Sequence, residues 1–111
     1  MMGDLEEAIL CWISENTGSP ELEAQIRFAE VVKRDFMGTG LFLYLRVPES
    51  LDAIPDSVSP NCPHISSSML MDGAGSSLFM KNGRLHYLEL YSRGGFMPET
   101  LEKWELEAGR L

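Results

Sequence analysis

The chain has 111 residues, of which 44% are hydrophobic and 23% charged, a composition typical of one globular domain with its own core. Seventeen acidic residues against nine basic ones give a net charge of −8. A chain this acidic repels phosphate backbones, so we expect no direct nucleic-acid partner. The charge keeps a small protein in solution, and it also permits a partner protein with a basic surface.

The N-terminal region indicates no targeting signal and no membrane segment. Residues Met1 to Glu7 are acidic, and the apolar run from Ala8 to Ile13 is too short for either role. We therefore expect a cytoplasmic protein that does not enter a membrane. Of the two cysteines, Cys11 lies in an apolar helical pattern and is predicted to be buried, whereas Cys62 lies in a proline-flanked loop.

Two helices are predicted at the start of the chain. Between Asp4 and Glu15 apolar residues recur every three or four positions. Ser19-Pro20 predicts the start of a second helix, since serine caps helices and proline is favoured at the first helical position. The following residues fit a helix and a strand equally well. We favour a short helix from Pro20 to about Arg27 and then a strand from Phe28 to Phe36, because Val31-Val32 prefers extended backbone.

The remaining pattern predicts an α+β domain, with a mainly antiparallel sheet of about five strands and the N-terminal helix packed on one face. Leu41 to Val47 alternates clearly, and the proline-rich stretch from Pro48 to Pro63 predicts a long surface connection. The later predicted elements are strands at Ile65–Met71, Ser76–Lys81 and Arg84–Tyr91, a helical turn from Pro98 to Lys103 and an edge segment at Trp104–Glu107.

The strongest local signal is Asn82-Gly83 between two apolar-rich runs. A two-residue hairpin turn of the mirror-image type needs positive φ at both central residues, which asparagine tolerates and glycine adopts freely. This turn predicts a register in which Lys81 faces Arg84, Met80 faces Leu85 and Phe79 faces His86.

The candidate binding residues lie on the second strand of this hairpin. In the predicted register Tyr87, Glu89 and Tyr91 share one face with Leu78 and Met80. A carboxylate between two phenols could bind a cation or act as an acid or base. The alternative is structural, because a hydrogen bond from a tyrosine hydroxyl to the carboxylate needs no function. The complete candidate set is Tyr87, Glu89, Tyr91 and His86.

No catalytic residue, metal site or cofactor is predicted. Cys62, His64 and His86 do not match any usual zinc spacing, and Cys62 with His64 lacks a recognisable nucleophile turn. The glycine-rich stretch 72–77 leads into a strand and therefore lacks the helix N-terminus that binds phosphate.

The run 82–92, continuing through 94–101, resembles the C-terminal part of small uncharacterised bacterial domains, and residues 31–42 look like their Gly-x-Gly hairpin. The similarity spans residues 28 to 102. Similar short C-terminal patterns occur in immunity proteins of bacterial toxin systems. The resemblance implies no catalytic residue.

These observations favour a non-enzymatic binding or interaction protein. The more specific hypothesis is that the chain is an immunity-like partner of a basic toxin. One alternative is a small-molecule-binding or enzymatic domain with a pocket around Glu89 and the neighbouring tyrosines. Another is a structural homodimer that buries an apolar sheet face.

Overall fold

The computed structural model describes residues 2–109 and consists of two helices followed by a six-stranded antiparallel sheet with strand order β1-β2-β5-β4-β3-β6. The predicted α+β class is confirmed, and the sheet has one strand more than the five expected. The elements are α1 (Asp4–Thr17), α2 (Pro20–Arg27), β1 (Glu30–Phe36), β2 (Gly40–Arg46), β3 (His64–Ser66), β4 (Ala74–Lys81), β5 (Arg84–Ser92) and β6 (Glu105–Glu107).

Local sequence features explain where α1 ends and where α2 begins. Gly18, with φ +74°, ends α1 in the left-handed conformation. The Ser19 hydroxyl then accepts a hydrogen bond from the Leu22 N–H at 3.2 Å and caps α2. The ambiguous stretch is therefore helical, as favoured. The next strand begins at Glu30 rather than at Phe28, because Phe28 still donates its N–H to the carbonyl of Ala24.

The helices pack on one face of the sheet, and the core lies between the two layers. Alternate leucines of β2 and β5 point toward the helices, which contribute apolar side chains spaced three or four positions apart. Antiparallel sheets commonly have one face on the core and the other in solvent. The fully buried side chains include Ile9, Ile13, Leu22, Leu43, Ile65 and Leu88.

The predicted hairpin turn is present between β4 and β5. Asn82 and Gly83 adopt φ values of 54° and 73°, as a mirror-image turn requires. The pairs Lys81 with Arg84 and Met80 with Leu85 are confirmed.

The next predicted pair is wrong, because β5 contains a one-residue bulge. Phe79 faces Tyr87, and His86 is the extra residue of the bulge. A one-residue shift moves every later side chain to the other face. Tyr87, Glu89 and Tyr91 therefore share their face with Phe79 and Ser77, and not with Leu78 and Met80, which point to the core.

Two later predictions are also wrong. The strand expected at 65–71 ends at Ser66, because the chain turns when Leu70 N–H binds the Ser67 carbonyl and Met69 N–H binds the Ser67 hydroxyl. The segment 98–103 is not helical. Its backbone is held from outside, since Arg34 donates to the Glu99 carbonyl at 2.8 Å. The predicted edge segment is confirmed as β6.

Gln25 of α2 holds the proline-rich connection against the hairpin. Its side chain is 0% exposed, and its Nε2 donates to the carbonyls of Asp52 and Gly83, each at 2.9 Å. Its Oε1 accepts the Leu85 N–H at 3.0 Å. Arg84 adds hydrogen bonds to the carbonyls of Leu51 and Glu49. One buried amide thus joins three segments that are distant in the sequence.

The two outer strands differ from the central ones. The ladder of β1 shifts between Val31 and Lys33, which leaves Val32 58% exposed. The other outer strand, β6, has three residues. Neither edge carries a long regular run of free backbone groups.

Cys11 does not have the buried environment that was predicted, whereas Cys62 lies in the expected proline-flanked loop. Cys11 is exposed, because the buried stripe of α1 runs through Leu5, Ile9 and Ile13 and leaves position 11 on the solvent side. Cys62 is partly buried, and both thiols are free. Burial raises the pKa of the Cys62 thiol, and a backbone hydrogen bond with Leu78 offsets this only in part.

We expect iodoacetamide at pH 8 to alkylate Cys11 about tenfold or more faster than Cys62, since the thiolate is the reacting form and burial limits both its population and access. Intact-mass analysis with peptide mapping measures both rates. The C11S variant should retain only the slow phase, and equal rates at the two thiols would contradict the described burial.

Candidate functional site

The candidate site is the sheet face that points away from both helices. We call it the open sheet face and define it by side chains of three adjacent strands. The pairings that bring them together are Phe42 with Glu89, Tyr44 with Tyr87, Ser77 with Glu89, Phe79 with Tyr87 and Gly75 with Tyr91. The open sheet face therefore consists of Phe42, Tyr44, Gly75, Ser77, Phe79, Tyr87, Glu89 and Tyr91.

Tyr87 is the centre of an aromatic cluster on this face. Its ring stacks on Phe79, with centroids 4.6 Å apart and planes 21° apart. The rings of Phe42 and Tyr44 each lie 5.7 Å from Tyr87. Such offset and edge contacts are the favourable geometries for aromatic pairs. Phe79 remains 41% exposed, so part of the cluster is available to a partner.

Glu89 lies in the middle of the open sheet face. Phe42 and Ser77 flank it across the ladder, and Tyr87 and Tyr91 lie two positions away along β5. Its side chain is half-buried. Among residues 2–109, no ion pair or hydrogen bond engages the Glu89 carboxylate. A half-buried carboxylate beside aromatic rings is an arrangement that attracts a cation.

Tyr91 marks the polar end of the face. A side chain at Gly75 would overlap the Tyr91 ring, so the glycine lets this ring lie against β4. The guanidinium of Arg93 lies 5.6 Å from the Tyr91 ring centroid, and its Nε donates to His64 Nδ1 at 2.9 Å. Because arginine only donates, Nδ1 of His64 acts as the acceptor and the ring proton lies on Nε2. That nitrogen is 3.8 Å from Glu107 Oε1.

The structure brings together the predicted residues Tyr87, Glu89 and Tyr91 on one face. His86 is exposed on the bulge, with its ring edge-on to Tyr87 at 5.2 Å. The aromatic rings that neighbouring strands contribute to this face were not predicted. The alternation of β2 places Phe42 and Tyr44 on a common face, but only the pairing of β2 with β5 shows that this is the face of Glu89. The missed side chains are Phe42, Tyr44 and Phe79.

Comparison with protein-family models, with curated proteins and with solved structures finds no match for this chain. Over the described residues, none of the helices has the length and apolar character needed to cross a membrane. No three His, Cys, Asp or Glu side chains within 2–109 are arranged to hold a metal ion.

Proposed function

We propose that this chain is a non-enzymatic binding protein that holds a basic protein partner on the open sheet face. The observation that carries the proposal is the half-buried Glu89, whose carboxylate engages no cation among the described residues and is surrounded by aromatic side chains. A lysine or arginine of the partner would meet both a negative charge and the negative faces of aromatic rings there.

The chain itself already uses this chemistry once. Arg93 lies over the Tyr91 ring on the same face, which supports the idea that the neighbouring ring Tyr87 can accept a guanidinium. Two cations on this side of the sheet are neutralised by nearby carboxylates. Lys33 pairs with Asp35 at 3.8 Å, and Arg46 pairs with Glu30 at 3.0 Å. Glu89, by contrast, has no counterion among the residues that the structure describes.

The net charge supports a basic partner over a second copy of the chain. A charge of −8 steers a basic protein toward the surface and increases its association rate. Two copies docked through this face would instead bring one Glu89 near another in a dimer of two acidic chains. In its specific form, the proposal is that the partner is a basic toxin, which the chain neutralises as an immunity-like protein.

The proposal predicts that a blocked hexa-arginine peptide binds at Glu89. In ¹H–¹⁵N correlation spectra we expect shifts at Phe79, Tyr87 and Glu89, and no binding of a hexa-glutamate peptide. E89Q should weaken binding about fivefold. This is the change expected when a cation loses one partly solvated contact with a carboxylate that lies beside aromatic rings. E15Q changes the net charge equally on exposed α1 and should change affinity less than about twofold.

Equal weakening by E89Q and E15Q, or shifts confined to the helices, would show that only overall charge attracts the peptide and would contradict a site at Glu89. Light scattering on the free protein tests the homodimer alternative, since the proposal requires a monomer mass at micromolar concentration.

The specific toxin version has a separate test. The purified chain is mixed with the protein encoded by the neighbouring gene, and the mixture is analysed by size exclusion. A complex that E89K disrupts is expected, and the absence of any complex would remove this version.

A further inference from the structure

A cavity of about 1150 Å³ opens on the helix side of the sheet, away from the open sheet face. Its walls come from the first turn of α1, from Arg34 of β1, from the last residue of β3 and the two serines that follow it, and from the segment that leads into β6. The segment 97–105 forms one whole wall without being helical. The cavity has the size range of small-molecule sites.

The floor of the cavity is apolar. Leu41 of β2 and Leu90 of β5 form it, and both are buried. Met97 and Leu101 add buried apolar walls, and Trp104 is half-buried at the side. These side chains suit an aliphatic or aromatic body, because small-molecule sites are lined predominantly by apolar and aromatic side chains.

Glu6 supplies a buried charge at the cavity wall. Its side chain is 5% exposed. One oxygen, Oε1, accepts from Arg34 Nε at 3.2 Å and from the Gly3 N–H at 3.4 Å. The other oxygen, Oε2, accepts no hydrogen bond from the residues that the structure describes. A carboxylate oxygen that has free lone pairs, on a side chain that is otherwise buried, is an acceptor for a ligand N–H.

The charges around the cavity also favour a cation. Arg34 is engaged by Glu6 and by the carbonyl and carboxylate of Glu99. The first-turn amides of α1 favour an anion, but the acids of that turn already provide negative charge there. Two cations face five carboxylates in the lining. The carboxylates are Asp4, Glu6, Glu99, Glu102 and Glu105, and the cations are Arg34 and Lys103.

We infer that this cavity binds a small organic cation, a protonated amine on an apolar body. The ammonium group donates to Glu6 Oε2, and the body lies on the floor of Leu41 and Leu90 beside Trp104. This site is separate from the open sheet face, so it does not depend on the proposed function.

Calorimetric titration with three compounds of similar shape tests the inference. They are 2-phenylethylammonium, 2-phenylethanol and 3-phenylpropionate, which are cationic, neutral and anionic. We expect the cation to bind at least about tenfold more tightly than the other two, as a charge-assisted hydrogen bond to a buried carboxylate requires. In E6Q the preference for the cation should be lost, whereas E7Q, altered at the exposed neighbour, should bind as the wild type does.

S68W provides a second variant that leaves Glu6 unchanged. Ser68 is exposed and lines the cavity, so an indole there should obstruct the cavity and abolish binding without shifting the urea midpoint. Correlation spectra should show ligand shifts at Leu41 and Leu90 and none at Tyr87.

Equal affinity for all three compounds would show that apolar contacts alone drive binding, and it would overturn the inference. Tightest binding of 3-phenylpropionate would assign recognition to the cations of the lining and would also overturn it, as would no binding at millimolar concentration.

Discussion

Replacing Gln25 with leucine is expected to lower the free energy of unfolding by about 2–4 kcal/mol. Leucine has nearly the same size, but it removes both carbonyl contacts and leaves the buried N–H of Leu85 without its acceptor. An unsatisfied buried group loses its full hydration without compensation. The Asp52 carbonyl also loses its donor, so the proline-rich connection loses its attachment to α2.

Urea unfolding followed by circular dichroism measures this loss. E23L is the matched control, because it places the same leucine on exposed α2 and removes only the solvent-exposed pair with Arg27 at 3.8 Å. We expect that control to change stability by about 0.5 kcal/mol or less. Hydrogen exchange at the Leu85 amide should accelerate in Q25L alone. A loss in Q25L no larger than in E23L would contradict the role assigned to this amide.

Gly73→Ala is the second substitution with a large expected effect, a loss of about 2–5 kcal/mol. Gly73 has φ +71°, a conformation in which a Cβ is strained. That Cβ would also lie 2.5 Å from His64 Nε2 and 2.7 Å from the carbonyl oxygen of Ile65. The second neighbour is backbone and cannot swing aside, so β3 would shift relative to β4.

Gly18→Ala separates the two contributions. Gly18 has a similar φ of +74°, but nothing lies within 4 Å of an added Cβ. Its expected loss is about 1–2 kcal/mol, the strain alone. Thermal and urea unfolding of both variants measure the difference, which reports the overlap with His64 and Ile65. Equal losses of unfolding free energy in the two variants would show that β3 shifts to accommodate the added Cβ without destabilising the fold.

The parts of the fold that could be predicted are those encoded within a few residues. Asn82-Gly83 specifies its own turn, and Ser19-Pro20 specifies a helix start. The bulge at His86 could not be predicted in the same way. A bulge adds one residue to one strand of the pair, and the alternation of residues in the hairpin does not reveal where that residue is inserted.

The candidate site shows the same division. The alternation along β5 predicts that Tyr87, Glu89 and Tyr91 share a face, and this is what the structure contains. Their neighbours on β4 were predicted from the hairpin register alone. Because of the bulge, these neighbours are Phe79 and Ser77 and not the predicted Leu78 and Met80. The cavity lining was not predicted, because Glu6 in a first turn indicates only a favourable helix start.

The edges of the sheet restrict how any partner can attach. A bulge at Val32 and the charged side chains of Lys33 and Arg34 interrupt β1, and β6 offers only three residues. A foreign strand would find no long straight run of backbone groups to extend the ladder, which also protects the chain from edge-to-edge aggregation. We therefore expect the proposed partner to contact side chains of the open sheet face rather than to add a seventh strand to the sheet.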